Sequence, residues 1–206
     1  MAHEIIAILR GVKPGEVVEI GQALVDSGVT KIEVPMNSPE PLKSIEALAT
    51  AIGDVAKIGA GTVLNAEQIE LVASAGGELI VSPNMVPDVI TATKAQGLLS
   101  YPGVQTVTEC FSALEHGADG LKLFPAMLIG PHGLSAISAV LPRGTRTYAV
   151  GGVGPDEFSQ WIDAGVTGFG IGSFIYKPGF SAEQVGTKAI SCVKALSKCI
   201  SPNQFA

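Results

Sequence analysis

Lys122 stands alone in an apolar run of strand length, Gly120-Leu121-Lys122-Leu123-Phe124-Pro125-Ala126. Alternation along a strand turns Leu121 and Leu123 to one face and Lys122 to the other. An ammonium taken out of water loses its preference for the charged form, and a neutral amine is the nucleophile that forms an imine with a ketone. A strand-end lysine can instead extend its charge to solvent along its own methylene stem, and the heptapeptide alone is compatible with both readings. Glu33, in Ile32-Glu33-Val34-Pro35, is a carboxylate set among apolar neighbours in the same manner. Three further polar residues close short apolar runs: Arg10 after Ile5-Ile6-Ala7-Ile8-Leu9, Thr62 after Gly59-Ala60-Gly61, and Asn84 in Ser82-Pro83-Asn84.

These side chains need a scaffold, and the chain supplies a rhythm of short apolar strand, Gly/Pro/Asn/Ser loop and amphipathic helix. The pattern predicts strands at Ile5–Leu9, Lys31–Pro35, Lys57–Gly61, Leu79–Val81, Leu98–Tyr101, Gly120–Phe124, Thr147–Val150 and Gly168–Ile171. Between them it predicts helices at Pro14–Ser27, Pro39–Ala51, Ala66–Ala75, Val86–Ala95, Val107–Glu115 and Pro155–Ala164, with Ala182–Lys198 at the end. Gly28, Gly76, Gly97, Gly117 and Gly165 each precede a strand, where a helix end calls for a left-handed cap. The expected fold is α/β, a small single-domain (β/α)8 TIM barrel over residues 1–206. At 206 residues the chain is short for such a barrel, which usually needs about 250, so its loops must be tight. The tail from Ile200 to Ala206 is expected to fray.

In such barrels the active groups sit at the C-terminal ends of the strands; Arg10, Thr62 and Asn84 fall at strand ends, and Glu33 and Lys122 lie on strands two and six. Inward side chains stack in layers from alternate strands, which sets Glu33 and Lys122 on opposite walls of the mouth. A structural ion pair is the alternative for two buried charges, and their place at the rim favours chemistry. Strand seven runs into Gly151-Gly152-Val153-Gly154, and strand eight into Gly170-Ile171-Gly172-Ser173. Glycine loops there bring backbone N–H groups close to an anion, the recurrent phosphate cradle of this architecture. A small phosphorylated metabolite is therefore the expected substrate. Arg10, beside strand eight, can reach its phosphate or a carboxylate at its other end. Asp156, Glu157, Trp161 and the cysteines read as surface or packing.

Charged residues make up 16% of the sequence, below the usual quarter or so, and mean hydropathy is +0.39. A single small domain this apolar is expected to cover part of its surface with copies of itself. The net charge of −6 and pI near 5.0 argue against nucleic acid and anionic membranes as partners. Cys110, Cys192 and Cys199 lack metal-ligand spacing and read as reduced thiols; no apolar run is long enough for a leader or a span. A cytoplasmic location is expected.

Taken together, Arg10-Gly11, Ile32-Glu33-Val34-Pro35-Met36-Asn37-Ser38-Pro39, Gly59-Ala60-Gly61-Thr62-Val63-Leu64, Ser82-Pro83-Asn84, Leu121-Lys122-Leu123-Phe124-Pro125-Ala126 and Ala149-Val150-Gly151-Gly152-Val153 carry a resemblance that spans nearly the whole chain. The sequence resembles the 2-keto-3-deoxy-6-phosphogluconate and phosphogalactonate aldolases, which are class I, Schiff-base pyruvate aldolases. The resemblance implies an imine on Lys122 and proton transfer by Glu33. It implies carboxylate contacts from Arg10 and Thr62, and a phosphate cradle of Gly151, Gly152, Gly172 and Ser173. Asn84, Pro102 and Val150 complete the implied substrate-binding set. It further implies homotrimers, no metal and no separate cofactor. Asn37, where the gluconate type carries an arginine, and Val150, where that type carries a threonine, point to the phosphogalactonate branch. A hydroxyl left without a partner costs about 1–3 kcal/mol, enough to separate C4 epimers. A gluconate-type aldolase, a phosphosugar isomerase with Glu33 as base and Lys122 as electrostatic clamp, and a non-catalytic phosphometabolite-binding barrel stay open as alternatives.

Overall fold

The computed structural model describes residues 3–200, so the tail expected to fray lies, from residue 201 onward, outside the described residues. Strands form at β1 (Glu4–Ile8), β2 (Lys31–Pro35), β3 (Lys57–Gly61), β4 (Leu79–Val81), β5 (Leu99–Tyr101), β6 (Gly103–Val104), β7 (Leu121–Leu123), β8 (Thr147–Val150) and β9 (Gly168–Ile171). Every pairing is parallel, in the order β5-β4-β3-β2-β1-β9-β8-β7-β6. The nine strands make eight staves. Pro102, which has no N–H to give a ladder, divides the fifth stave into β5 on β4 and β6 on β7. The same stave closes the barrel, since Asp119 N–H donates to the Ser100 carbonyl and Lys122 N–H to the Pro102 carbonyl, each at 2.9 Å.

Helices α1 (Pro14–Asp26), α2 (Pro41–Ile52), α3 (Ala66–Ser74), α4 (Pro87–Ala95), α5 (Val107–Glu115), α6 (Ala126–Ser138, broken by a kink at Gly130, where φ is 66°), α7 (Phe158–Asp163) and α8 (Ala182–Cys199) fill the intervals. Several element ends shift by one residue, and two helix starts depart further from the sequence pattern. The second helix begins at Pro41 and not Pro39, because a residue preceding proline is kept out of helical geometry and proline is at home in the first turn. The segment expected to be one helix from Pro155 opens as a single 3-10 turn, Pro155–Glu157, before α7. The five predicted cap glycines all lie at positive φ, from 72° at Gly97 to 93° at Gly117 and Gly165.

Apolar packing separates into two shells. Ile32, Val34, Leu121 and Leu123 join Ile20, Leu24, Ile45 and Leu48 in the larger core between strands and helices. Ile6, Ile8, Leu79, Val81, Tyr101, Tyr148 and Val150 fill the barrel interior. Glu33 and Lys122, whose chain neighbours belong to the outer shell, therefore point inward, and that fixes where the polar chemistry can occur.

Candidate active site

Glu33 is 2% exposed and Lys122 6%, and both face one small cavity of about 10 Å³ that they share with Ile6, Ile8, Tyr148 and Val150. That volume is about the size of one water. The carboxylate has room only because position 61 is glycine: a Cβ there would lie 1.8 Å from Glu33 Oε2. Glu33 Oε2 is buried without a hydrogen-bond partner. The two charges are therefore not quenched as a structural ion pair. Burial pushes the Glu33 carboxyl up to about 7, against the opposing pull of the Lys122 and Arg10 charges. Burial pushes the Lys122 amine down, with the Arg10 charge acting in the same sense and Glu33 resisting. Both groups are thus biased toward neutrality, the amine toward a nucleophile and the carboxyl toward a group that gives and takes protons near pH 7. The Lys122 Nζ also sits 4.7 Å from the centre of the Phe124 ring.

Beyond Lys122 opens a second cavity of about 870 Å³. Its walls include Arg10, Val150, Gly151, Gly152, Gly172 and Ser173. Gly151 and Gly152 adopt φ of 91° and 77°, conformations that side chains rarely tolerate, and a Cβ at Gly152 would meet Met127 at 2.8 Å. Met127 N–H donates to the Gly151 carbonyl at 3.1 Å, fastening the start of α6 to the glycine loop. Arg10 donates from Nη1 to Asn37 Oδ1 at 2.6 Å and from Nη2 to Thr62 Oγ1 at 3.4 Å. Thr62 itself holds a left-handed φ of 56°, uncommon for a β-branched residue and a mark of a constrained site. Gly11 N–H donates to the buried Ser38 Oγ at 2.9 Å, so the turn carrying Arg10 is tied to the loop after β2.

The predicted residues do not all share one surface. Thr62 connects to the larger cavity through Arg10, and Glu33 through the smaller one. Pro102 is buried and meets Lys122 through its carbonyl, while Asn84 is exposed beyond β4; neither forms the wall of the larger cavity. Lys177 and Lys188 do, and the sequence reading passed over both. A signal for Lys188 existed: it falls between Val185 and Ala189, on the stripe of α8 that is buried. Cys110 and Cys192 are buried, and burial pushes their thiols up to about 11 and about 12, which suits packing and not reactivity.

The sequence matches the model of the KDPG and KHG aldolase family over residues 1–190. It is 45% identical over 196 residues to the 2-dehydro-3-deoxy-6-phosphogalactonate aldolase of Escherichia coli (strain K12), covering 95% of this chain and 96% of that one. Among solved structures, the native KDPGal structure superposes with a TM-score of 0.94 at 44% identity, over 97% of this chain and 99% of the other. A cube-shaped protein cage designed by fusing symmetric oligomeric domains superposes with a TM-score of 0.96 at 43% identity, over 100% of this chain and 76% of that one.

Proposed function

The chain belongs to the KDPG and KHG aldolase family, and from that premise we propose that it cleaves 2-dehydro-3-deoxy-6-phosphogalactonate to pyruvate and glyceraldehyde 3-phosphate through an imine on Lys122. Cleavage leaves an electron pair on the carbon that becomes the methyl group of pyruvate. A ketone accepts that pair poorly, whereas a protonated imine on Lys122 is a good sink, and the pair returns as an enamine. The Glu33 carboxylate takes the C4 hydroxyl proton, directly or through the one water its cavity has room for, and gives a proton back to the enamine carbon. Hydrolysis of the resulting imine frees pyruvate and Lys122. No metal or separate cofactor enters this scheme.

Arg10, steadied by Asn37 and Thr62, receives the substrate carboxylate, and the Gly151-Gly152 and Gly172-Ser173 loops receive the phosphate. Binding at these two ends fixes the scissile bond over Lys122. The observation that carries the reading is the shared burial of Glu33 and Lys122 around one cavity, both biased toward their neutral forms. Val150 walls the larger cavity with methyl groups, which supports the galactonate epimer. We also infer a homotrimer, as the family resemblance implies, and a cytoplasmic location; self-association is supported by the exposure of Val107 and Phe111 on α5 and of Met127 and Leu128 on α6, the last two at 69% each.

Parallel turnover of the phosphogalactonate and phosphogluconate substrates, coupled to pyruvate detection, tests the reaction and its epimer preference together. Faster cleavage of the galactonate epimer is expected. A strong gluconate preference would overturn the reading of Val150 and Arg10, and turnover without pyruvate would point to the isomerase alternative.

A further inference from the structure

Among the described residues, four cationic side chains, Arg10, Lys122, Lys177 and Lys188, wall the larger cavity and no aspartate or glutamate does, although the chain carries a net charge of −6. A dianion approaching an acidic protein finds its positive potential there. Arg10 and Lys122 already have work near the carboxylate and ketone. The far end is closed by residues 172–180, which turn back after β9 through Ile175 and Tyr176 N–H bonds to the Gly172 carbonyl at 2.9 and 3.0 Å. Lys188 reaches the cavity from α8, its Nζ 4.9 Å from the centre of the Phe174 ring and 5.6 Å from that of Phe180. Phe174 directly follows Ser173 of the glycine cradle.

Among the described residues the ion pairs engage Lys31, Lys43, Lys57, Lys94 and Arg146, and none engages Lys188. Two ring faces hold its ammonium in place without neutralising it. We propose that Lys188 is a phosphate-binding and specificity-determining residue: it supplies the charge at the far end of the cavity, where the glycine loops supply the N–H donors. This rests on the aldolase reading above. The backbone cradle selects the shape of the phosphate, and Lys188 selects its charge. Substrates that carry a terminal dianion are thereby favoured over the same sugar acids ending in a hydroxyl.

The test compares wild type, Lys188→Met, which keeps the aliphatic contact with Phe174 and Phe180, and Lys188→Arg. Lys188→Met is expected to raise KM for the phosphorylated substrate roughly tenfold, the size expected for losing one charge-assisted contact at a partly wetted site. KM for the unphosphorylated sugar acid is expected to stay where wild type has it, and Lys188→Arg to recover most of the loss. Equal losses on both substrates, or no loss on either, would show Lys188 to be a strut for the two phenylalanines and overturn the proposal. Calorimetric binding of inorganic phosphate to the same three proteins reads Lys188 apart from catalysis. An enzyme that bound phosphate through Lys188 but cleaved neither substrate would count against the aldolase reading alone.

Discussion

Glu4 and Glu33 both enter the barrel, the first from the start of β1 and the second from the middle of β2. Glu4 is surrounded by donors. Lys31 Nζ lies 2.7 Å from its Oε2, and Arg146 and the Tyr148 hydroxyl both bond its Oε1. Lys31 also donates to the Tyr101 hydroxyl at 3.1 Å, and Tyr101 meets Tyr148 edge-on at 5.2 Å. Burial alone would raise the Glu4 carboxyl, but the hydrogen bonds and charges of Lys31, Tyr148 and Arg146 outweigh it and hold the group below the usual carboxylate range. Glu33 is more deeply buried, has an oxygen with no partner at all, and is pushed the other way. At the floor both Glu4 carboxylate oxygens are engaged, whereas at the mouth one Glu33 oxygen is left without a partner. A polar group left unpaired in the interior costs stability, and it persists where a substrate is to complete it.

The largest contrast is expected between the two interior lysines. Lys122→Ala should lower turnover by at least about 10⁴-fold, the scale on which losing a covalent nucleophile is felt. It should also abolish irreversible borohydride labelling in the presence of pyruvate, with thermal stability kept or raised because a buried amine has been removed. Lys31→Met should do the reverse, leaving labelling at Lys122 intact and lowering the unfolding temperature. Labelling that survived Lys122→Ala would move the nucleophile elsewhere and dissolve the contrast.

A smaller effect separates the carboxylates. Glu33→Gln is expected to reduce kcat by about 10²–10⁴-fold, the usual contribution of a positioned acid–base group, while leaving imine trapping detectable. Glu4→Gln should leave kcat within the range of ordinary surface changes and cost on the order of 1–3 kcal/mol of folding stability, since it strands Lys31 and Arg146 at a partly wetted site. Urea unfolding and steady-state kinetics on the same two variants check both halves. If Glu4→Gln crippled turnover without unfolding the chain, floor and mouth would not be separate working units.

Alternation made most of this visible in advance. Lys31 and Glu33 have the same parity on β2, as do Glu4, Ile6 and Ile8 on β1, so the inward face could be read from spacing alone once the strands were placed. The floor network leaves no mark in the apolar pattern, because the apolar run of strand one begins at Ile5, one residue after the glutamate that anchors the network. The break at Pro102 leaves none either, because a two-residue strand, Gly103–Val104, is shorter than any periodic signal. Asn37 was legible as a departure from the gluconate pattern, but its bond to Arg10 depends on two loops meeting 27 residues apart in sequence. Lys188 was legible only as a cation on the buried stripe of α8, and its place at the cavity depends on the return of residues 172–180.

The finest test of the contrast is the pH dependence of stability. A carboxyl lowered in the fold, as Glu4 is, contributes stability above its unfolded pKa that is lost as pH falls through its folded value; that window lies below the ordinary 4.5. A carboxyl raised in the fold, as Glu33 is, contributes stability below 4.5 that is lost as pH rises through about 7. The Lys122 amine, lowered in the fold, titrates with the opposite sign and would blur the second window, so the measurement belongs in a Lys122→Met background. Removing that ammonium also removes a charge that holds Glu33 down, which carries its window further up. From pH 5 to pH 8 the Lys122→Met protein should lose several degrees of unfolding temperature, given about 2–4 °C per kcal/mol for a chain of this size. Lys122→Met/Glu33→Gln should lose distinctly less, because its glutamine does not titrate, whereas Lys122→Met/Glu4→Gln should fall as steeply as the parent. Equal slopes in all three would mean that the carboxyl at the mouth is as comfortably ionised as the one at the floor, and the difference between the two ends of the barrel would vanish.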